Sequence, residues 1–195
     1  MGKLWCRDHR GKEYDFSGFM EYARDFHGHP APGLMLGGAM VEGARQKLAP
    51  DCLFDVVCET RSCLPDAVQL LTLCTIGNGW LKIIDSGRFA LTLYDKRGGE
   101  GVRVSIDPAK LPSWPELKCW LLKEKPKAKQ DSEKLYEEIE GGGADVIKFE
   151  NVSVDLERMK KVRGGRIVFC PDCGEPFPEA LGGQCPFCAG DRYFK

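Results

Sequence analysis

Apolar positions recur along this chain at two spacings, one of three and four residues and one of two. Their alternation predicts helices interleaved with strands. In "SGFMEYARDF", Phe19, Ala23 and Phe26, with Met20 and Tyr22, fall at helical spacing behind Ser17 as N-cap. A second helix is predicted from Pro32, whose missing N–H loses nothing in a first turn. Leu34, Val41, Ala44 and Leu48 line one face of it. Gly37, Gly38, Ala39 and Gly43 are small, and each glycine would weaken an isolated helix by up to about 1 kcal/mol. That run predicts close approach by another backbone, with a subunit interface as one place for it.

Further along, "LFDVVCE" reads as a buried strand, and "CLPDAVQLL" as a helix entered at Cys63 with Pro65 and Asp66 in its first turn. "LCTIGNGWLKIID" predicts a strand, a Gly-Asn-Gly turn and a second strand. "RFALTLYD" and "GVRVSID" predict a hairpin across "KRGGEG". From Pro112 to Glu140 the pattern is helical with charged faces, broken at "KEKPKAKQDSEK", which reads as a solvated connection. "GGGADVIKFENVSVD" closes the main domain with a short strand or two. The expected fold class is α+β, a mixed β-sheet flanked by helices. Three segments are expected: a core domain over 1–155, a basic amphipathic linker over 156–166, and a small module over 167–195.

Composition narrows the function. A net charge of -1 and a pI near 6.3 argue against a general nucleic-acid or anionic-membrane binder. No apolar run reaches the roughly 18 residues that span a bilayer. The N-terminal "MGKLWCRDHRGKEYDF" has no apolar signal core and fits the myristoylation pattern poorly, so a cytoplasmic location is expected.

Ten cysteines divide into two groups. Cys170, Cys173, Cys185 and Cys188 form two C-x-x-C knuckles in "FCPDCGEPFPEALGGQCPFCAG". Each such turn points two thiolates at one tetrahedral centre. Zinc suits four soft thiolates and fills a site that leaves no open position. A module of about 30 residues also needs such a staple to hold its fold. One structural zinc per chain is therefore expected, in a ribbon or truncated treble clef. Paired disulfides or a redox motif are the alternative, but neither knuckle follows a redox site's strand-to-helix pattern. A rubredoxin-type iron centre uses similar spacing and stays open on ligand type.

Upstream, "DFHGHPAPG" places His27 and His29 between two predicted helices. A helix N-terminus disfavours the imidazolium, which keeps a histidine neutral and able to ligate. In an extended segment the i, i+2 spacing sends the two rings to opposite sides. Hydrogen bonds to carbonyls at a helix C-terminus are the other use for them. Cys63 sits where a strand ends and a helix begins, a position that lowers a thiol's pKa; an inert buried cysteine is the alternative. Cys74 reads as core, and Cys6, Cys52, Cys58 and Cys119 as packing.

The run "FHGHPAPG", then "CLPDAVQLLTLCTIGNG", then "IIDSGRFALTLYD" resembles the FmdE family of formylmethanofuran dehydrogenase, from about Phe16 to about Asp107. The C-terminal zinc module also occurs in many members. The resemblance implies a somewhat thioredoxin-like mixed sheet, a homodimer, and a metal in a core-domain active site. Carried over, that site would use His27, His29 and Cys63, with Asp66 nearby. One departure is plain: the family pattern H-G-H-x-C-P-G has a cysteine where this chain has Ala31. A methyl group cannot coordinate, so a ligand is missing and a second ion in the core is not expected.

Three functions compete. The first, implied by the resemblance, is a metal-binding accessory subunit or relative of a tungsten or molybdenum formylmethanofuran dehydrogenase, in methanogenesis-related one-carbon metabolism. The second is a stand-alone zinc enzyme, in which metal on His27, His29 and Cys63 lowers the pKa of water to roughly 7 and Asp66 or Glu59 shuttles the proton. The third is a zinc-ribbon binding module. There Arg158, Lys160, Lys161, Arg163 and Arg166 form a basic stripe, and Phe169, Phe177, Phe187, Tyr193 and Phe194 could stack bases.

Overall fold

The computed structural model describes residues 3–160 and 165–194. The chain divides into two compact units, Met1–Leu156 and Glu157–Lys195. The larger unit is the mixed α+β fold that the hydrophobic pattern predicts.

Its sheet has five strands: β3 (Phe54–Cys58), β4 (Leu81–Ile83), β5 (Ala90–Asp95), β6 (Glu100–Ile106) and β7 (Ile147–Ser153). They lie in the order β4-β3-β5-β6-β7. The pairing of β3 with β4 is parallel, and every other pairing is antiparallel. Parallel neighbours need a crossover rather than a tight turn, and α3 (Leu64–Leu71) provides it. The predicted strand before the Gly-Asn-Gly turn is therefore absent. Thr72 to Trp80 form a loop held by Asn78, whose Oδ1 accepts from the N–H of Thr75 and of Trp80 and whose Nδ2 donates to the Leu73 carbonyl.

Helix α1 (Phe16–His27) starts slightly earlier than Ser17 predicts. Asp15 is the N-cap, its Oδ1 accepting from the Gly18 N–H at 2.9 Å. A carboxylate there meets both the orphan donor and the positive end of the helix dipole. Phe19 and Ala23 are buried as expected, whereas Phe26 is half-exposed.

Helix α2 (Pro32–Arg45) begins where predicted and runs through the middle of the unit. Eleven of its 14 residues are buried, so it has no polar stripe. It packs on β5 and β6, where Leu91, Leu93, Val102 and Val104 form the inner face of the sheet. Its glycines admit side chains of this same chain, not another backbone at an interface. A Cβ on Gly37 would lie 2.7 Å from the Ala67 Cβ, and one on Gly38 would lie 2.5 Å from Phe19 Cε1.

Helices α4 (Pro115–Leu121) and α5 (Ser132–Gly142) pack on each other. The buried Glu138 carboxylate accepts from the N–H groups of Glu116 and Leu117 and so caps α4 from α5. A short hairpin, β1 (Cys6–Arg7) with β2 (Glu13–Tyr14), is an element the hydrophobic pattern does not predict. It is anchored by Trp5, whose indole donates to the Met35 carbonyl, and by Tyr14 stacked on Tyr22.

The smaller unit holds a two-stranded hairpin, β8 (Ile167–Phe169) with β9 (Pro176–Pro178), and one helical turn, α6 (Pro186–Ala189). Its apolar centre is only Cys170, Phe177 and Cys185, with Val168, Phe187 and Cys188 against them. Residues 156–159 form a turn. Of the basic stripe, Lys161 and Arg163 lie outside the described residues, while Lys160 is ion-paired with Glu157 at 2.6 Å. No helix among the described residues is long and apolar enough to cross a membrane.

Candidate functional site

Four sulfurs define the tail unit. Cys170 follows β8, Cys173 lies in the turn toward β9, Cys185 is the N-cap of α6 and Cys188 lies within α6. Their Sγ atoms all fall within 4.8 Å of one another. Cys173 and Cys185 sulfurs are 3.8 Å apart. That is about the edge of a tetrahedron whose metal–sulfur bonds are about 2.3 Å, and far beyond a disulfide of about 2.05 Å. All ten cysteines are unbridged, so the disulfide alternative falls.

The backbone already prepares the cluster for a cation. Cys170 Sγ accepts from the Cys185 N–H, and Cys185 Sγ from the Cys188 N–H, each at 3.5 Å. Backbone N–H groups of Cys185 and Cys173 bring the Cys170 thiol down to about 6. Burial first, and then the other sulfurs, push the Cys188 thiol up to about 12. Four thiols this close ionise together only around a cation. The donor set fits a tetrahedral thiophilic metal that holds the fold and leaves no position for substrate. Phe177 is buried beside it, whereas Phe169 and Tyr193 are exposed.

The core-domain residues are arranged differently from the sequence expectation. His27 is the last residue of α1, at the negative end of its dipole rather than at a helix N-terminus. Gly28 is left-handed at φ 82°, so the segment is not extended. The His27 and His29 rings consequently lie against each other, with centroids 4.8 Å apart. His27 Nδ1 lies 2.6 Å from Asp66 Oδ2 in the first turn of α3, which leaves the other ring nitrogen as the ligating one. Cys63 is the N-cap of α3 and makes no side-chain capping bond. Burial first, and then the Asp66 charge, raise its thiol pKa, the reverse of the expected lowering. Among the described residues, the tail cluster of four cysteines is the only group of three or more His, Cys, Asp or Glu gathered closely enough to hold a metal.

Glu59, a candidate proton shuttle, is clamped. Arg103 Nε meets its Oε1 at 2.6 Å and Arg88 Nε its Oε2 at 2.7 Å. The Arg103 hydrogen bond holds its carboxyl below the usual range. Asp66 is likewise committed to His27.

Two cavities open beside Cys63, of about 610 and 650 Å³. Gly33, Cys63, Trp120 and Lys123 line both. The larger also holds His29, Ala31 and Tyr136, so Ala31 sits in the wall shared by His29 and Cys63. Tyr136 donates its hydroxyl to the Pro30 carbonyl and ties α5 to the segment between α1 and α2. Gly33 is needed here, because a Cβ on it would lie 3.3 Å from both the Cys63 Cβ and the Phe89 ring. Trp120, Phe89 and Tyr136 escape sequence reasoning because they reach the site from distant elements. The lysines of "KEKPKAK" carried a signal, a run of like charge, that reads equally as a solvated loop.

Fold and site together define an α+β protein with an appended four-cysteine metal module. The chain belongs to the FmdE family: the family model "FmdE, Molybdenum formylmethanofuran dehydrogenase operon" matches residues 26–154. "FmdE treble clef zinc finger" matches residues 161–195. The crystal structure of an FmdE-like protein of tungsten formylmethanofuran dehydrogenase, from Syntrophus aciditrophicus, is 42% identical, with a TM-score of 0.86, over 97% of this chain and 99% of that one. A probable S-adenosyl-L-methionine-binding protein from Archaeoglobus fulgidus is 29% identical over 88% of this chain. The chain spans about half the length of that relative, 52%.

Proposed function

We propose that this protein is a metal-binding accessory protein of a tungsten or molybdenum formylmethanofuran dehydrogenase, acting in the cytoplasm as a homodimer, with one structural zinc in its tail. The tail cysteine cluster carries the metal half of this reading: four thiols at tetrahedral spacing, with backbone N–H groups on the sulfurs, suit zinc. The family match over the core and the near-complete likeness to a tungsten FmdE-like protein support the partner. The experiment is anaerobic isolation of the tagged chain from its own cells, with metal analysis. One zinc per chain, lost in Cys170→Ala, and a co-purifying tungsten or molybdenum enzyme are expected. A homodimer isolated without either metalloenzyme overturns the partnership.

The second reading is a stand-alone metal enzyme, favoured by the Asp66 hydrogen bond that orients His27 as a ligand. His27, His29 and Cys63 would hold the ion, which would supply Lewis-acid chemistry. A second zinc, retained in Cys170→Ala and lost in Cys63→Ala, would move the function to the core. A sulfonium cofactor, as in the name of the Archaeoglobus relative, is not adopted. It would bring positive charge to cavities lined by cations.

A further inference from the structure

We propose that the two cavities beside Cys63 form a binding site for an acid group carried on a flat unsaturated ring, a carboxylate or phosphate ester of an aromatic or heteroaromatic group. The chain is slightly acidic overall, with a net charge of -1. Yet Arg88, Arg103, Lys123, Lys125, Lys127 and Lys148 line these cavities, and among the described residues no Asp or Glu does. Cations gathered in a concave wall focus the field and concentrate anions there.

Not all six are available to a ligand. Arg88 and Arg103 are paired with Glu59, Lys148 with Glu150, and Lys125 with Glu116. Lys123 and Lys127 have no ion pair among the described residues. Both line the larger cavity, and Lys123 also lines the smaller. Lys123 is the only non-glycine residue at positive φ among the described residues, at φ 53° just past the end of α4. Glycine would end the helix there without strain, whereas lysine places a cation in the wall the cavities share.

Two further features point to the rest of the ligand. Phe89 and Trp120 meet edge to face, 6.0 Å between centroids, and both line the smaller cavity. They offer an apolar surface for a ring. In that same cavity the buried Ser105 Oγ has no hydrogen-bond partner among the described residues. Such hydroxyls are rare unless something outside the chain completes them, and an acid oxygen can accept from this one. Each cavity is of small-molecule size.

The test is calorimetric titration of the full chain with benzoate, phenyl phosphate, inorganic phosphate and benzylamine. Benzoate or phenyl phosphate should bind, the tighter of the two identifying the acid group. Inorganic phosphate should bind at least about tenfold more weakly, and benzylamine should not bind. Lys123→Gly and Lys127→Gln should each weaken the better probe by about tenfold, with the far-UV spectrum unchanged. The proposal is overturned if benzylamine matches benzoate, if inorganic phosphate matches phenyl phosphate, or if neither lysine variant moves the affinity. Absence of heat with every probe up to about 10 mM overturns it too. Binding is read on the isolated chain, so failure to recover a partner enzyme leaves this site standing.

Discussion

His27 Nδ1 and Asp66 Oδ2 lie 2.6 Å apart, and this bond ties the end of α1 to the start of α3 across 39 residues of chain. Both side chains are partly exposed, so the bond stabilises modestly. Asp66→Asn should cost about 0.5–1 kcal/mol in urea unfolding. It should also change the His27 tautomer, seen in the ring ¹⁵N shifts. Unchanged ring shifts would remove the orienting role of Asp66.

Glu59 links acid stability to the outer face of the sheet. Arg103, first by hydrogen bond and then by charge, lowers its carboxyl pKa from 4.5. A lowered folded-state value means that the stabilisation is present above the unfolded pKa and is lost as pH falls through the folded one. Stability should therefore decline below about pH 4.5. Glu59→Gln should flatten that limb and cost about 1–3 kcal/mol at neutral pH. Urea midpoints measured across the acid range for both proteins decide it; parallel curves would count against the clamp.

Gly37 and Gly38 are packing contacts, not flexible joints. Gly37→Ala would drive one methyl into the Ala67 methyl at 2.7 Å, with no flexible atom to yield. A loss of about 1–3 kcal/mol is expected. Gly28→Ala meets nothing within 4 Å but is left-handed at φ 82°, so its cost of about 1 kcal/mol is backbone strain alone. Thermal melts of the two variants should separate these causes in size, the first being larger.

Lys123→Gly should do the opposite and raise stability by up to about 1 kcal/mol, because glycine carries no penalty in the left-handed region. The gain should come with loss of anion binding. A lower melting temperature would show that the lysine makes contacts worth more than its strain.

Metal removal should act on the tail. Its apolar centre of Cys170, Phe177 and Cys185 is too small to fold unaided. Chelation, or Cys170→Ala, should collapse the amide signals of residues 167–194 and leave those of β3 to β7 in place. Dispersed tail signals without metal would contradict a structural role for the ion.

Much of this was legible in the residues. Spacing predicted α2 from Pro32, the entry to α3 at Cys63, the β5–β6 hairpin and the paired cysteine knuckles. Each depends on residues a few positions apart, where backbone propensity and side-chain chemistry act directly. The misreadings lay elsewhere. The stretch before Gly77 looked like a strand because it is apolar, but Leu73 and Ile76 are exposed in a loop. Cys63 looked activated by its helix, but burial and Asp66 raise its pKa.

By itself, then, the chain's order of residues determined the local elements, the thiolate module and the mixed character of the sheet. Tertiary structure alone decided that the two imidazoles lie against each other, that Glu59 is held by two guanidiniums, and that lysines from one loop line a cavity beside Cys63. The reason is physical: a left-handed glycine, a strand register and burial against remote elements set these positions, and none of them has a signature in short-range spacing.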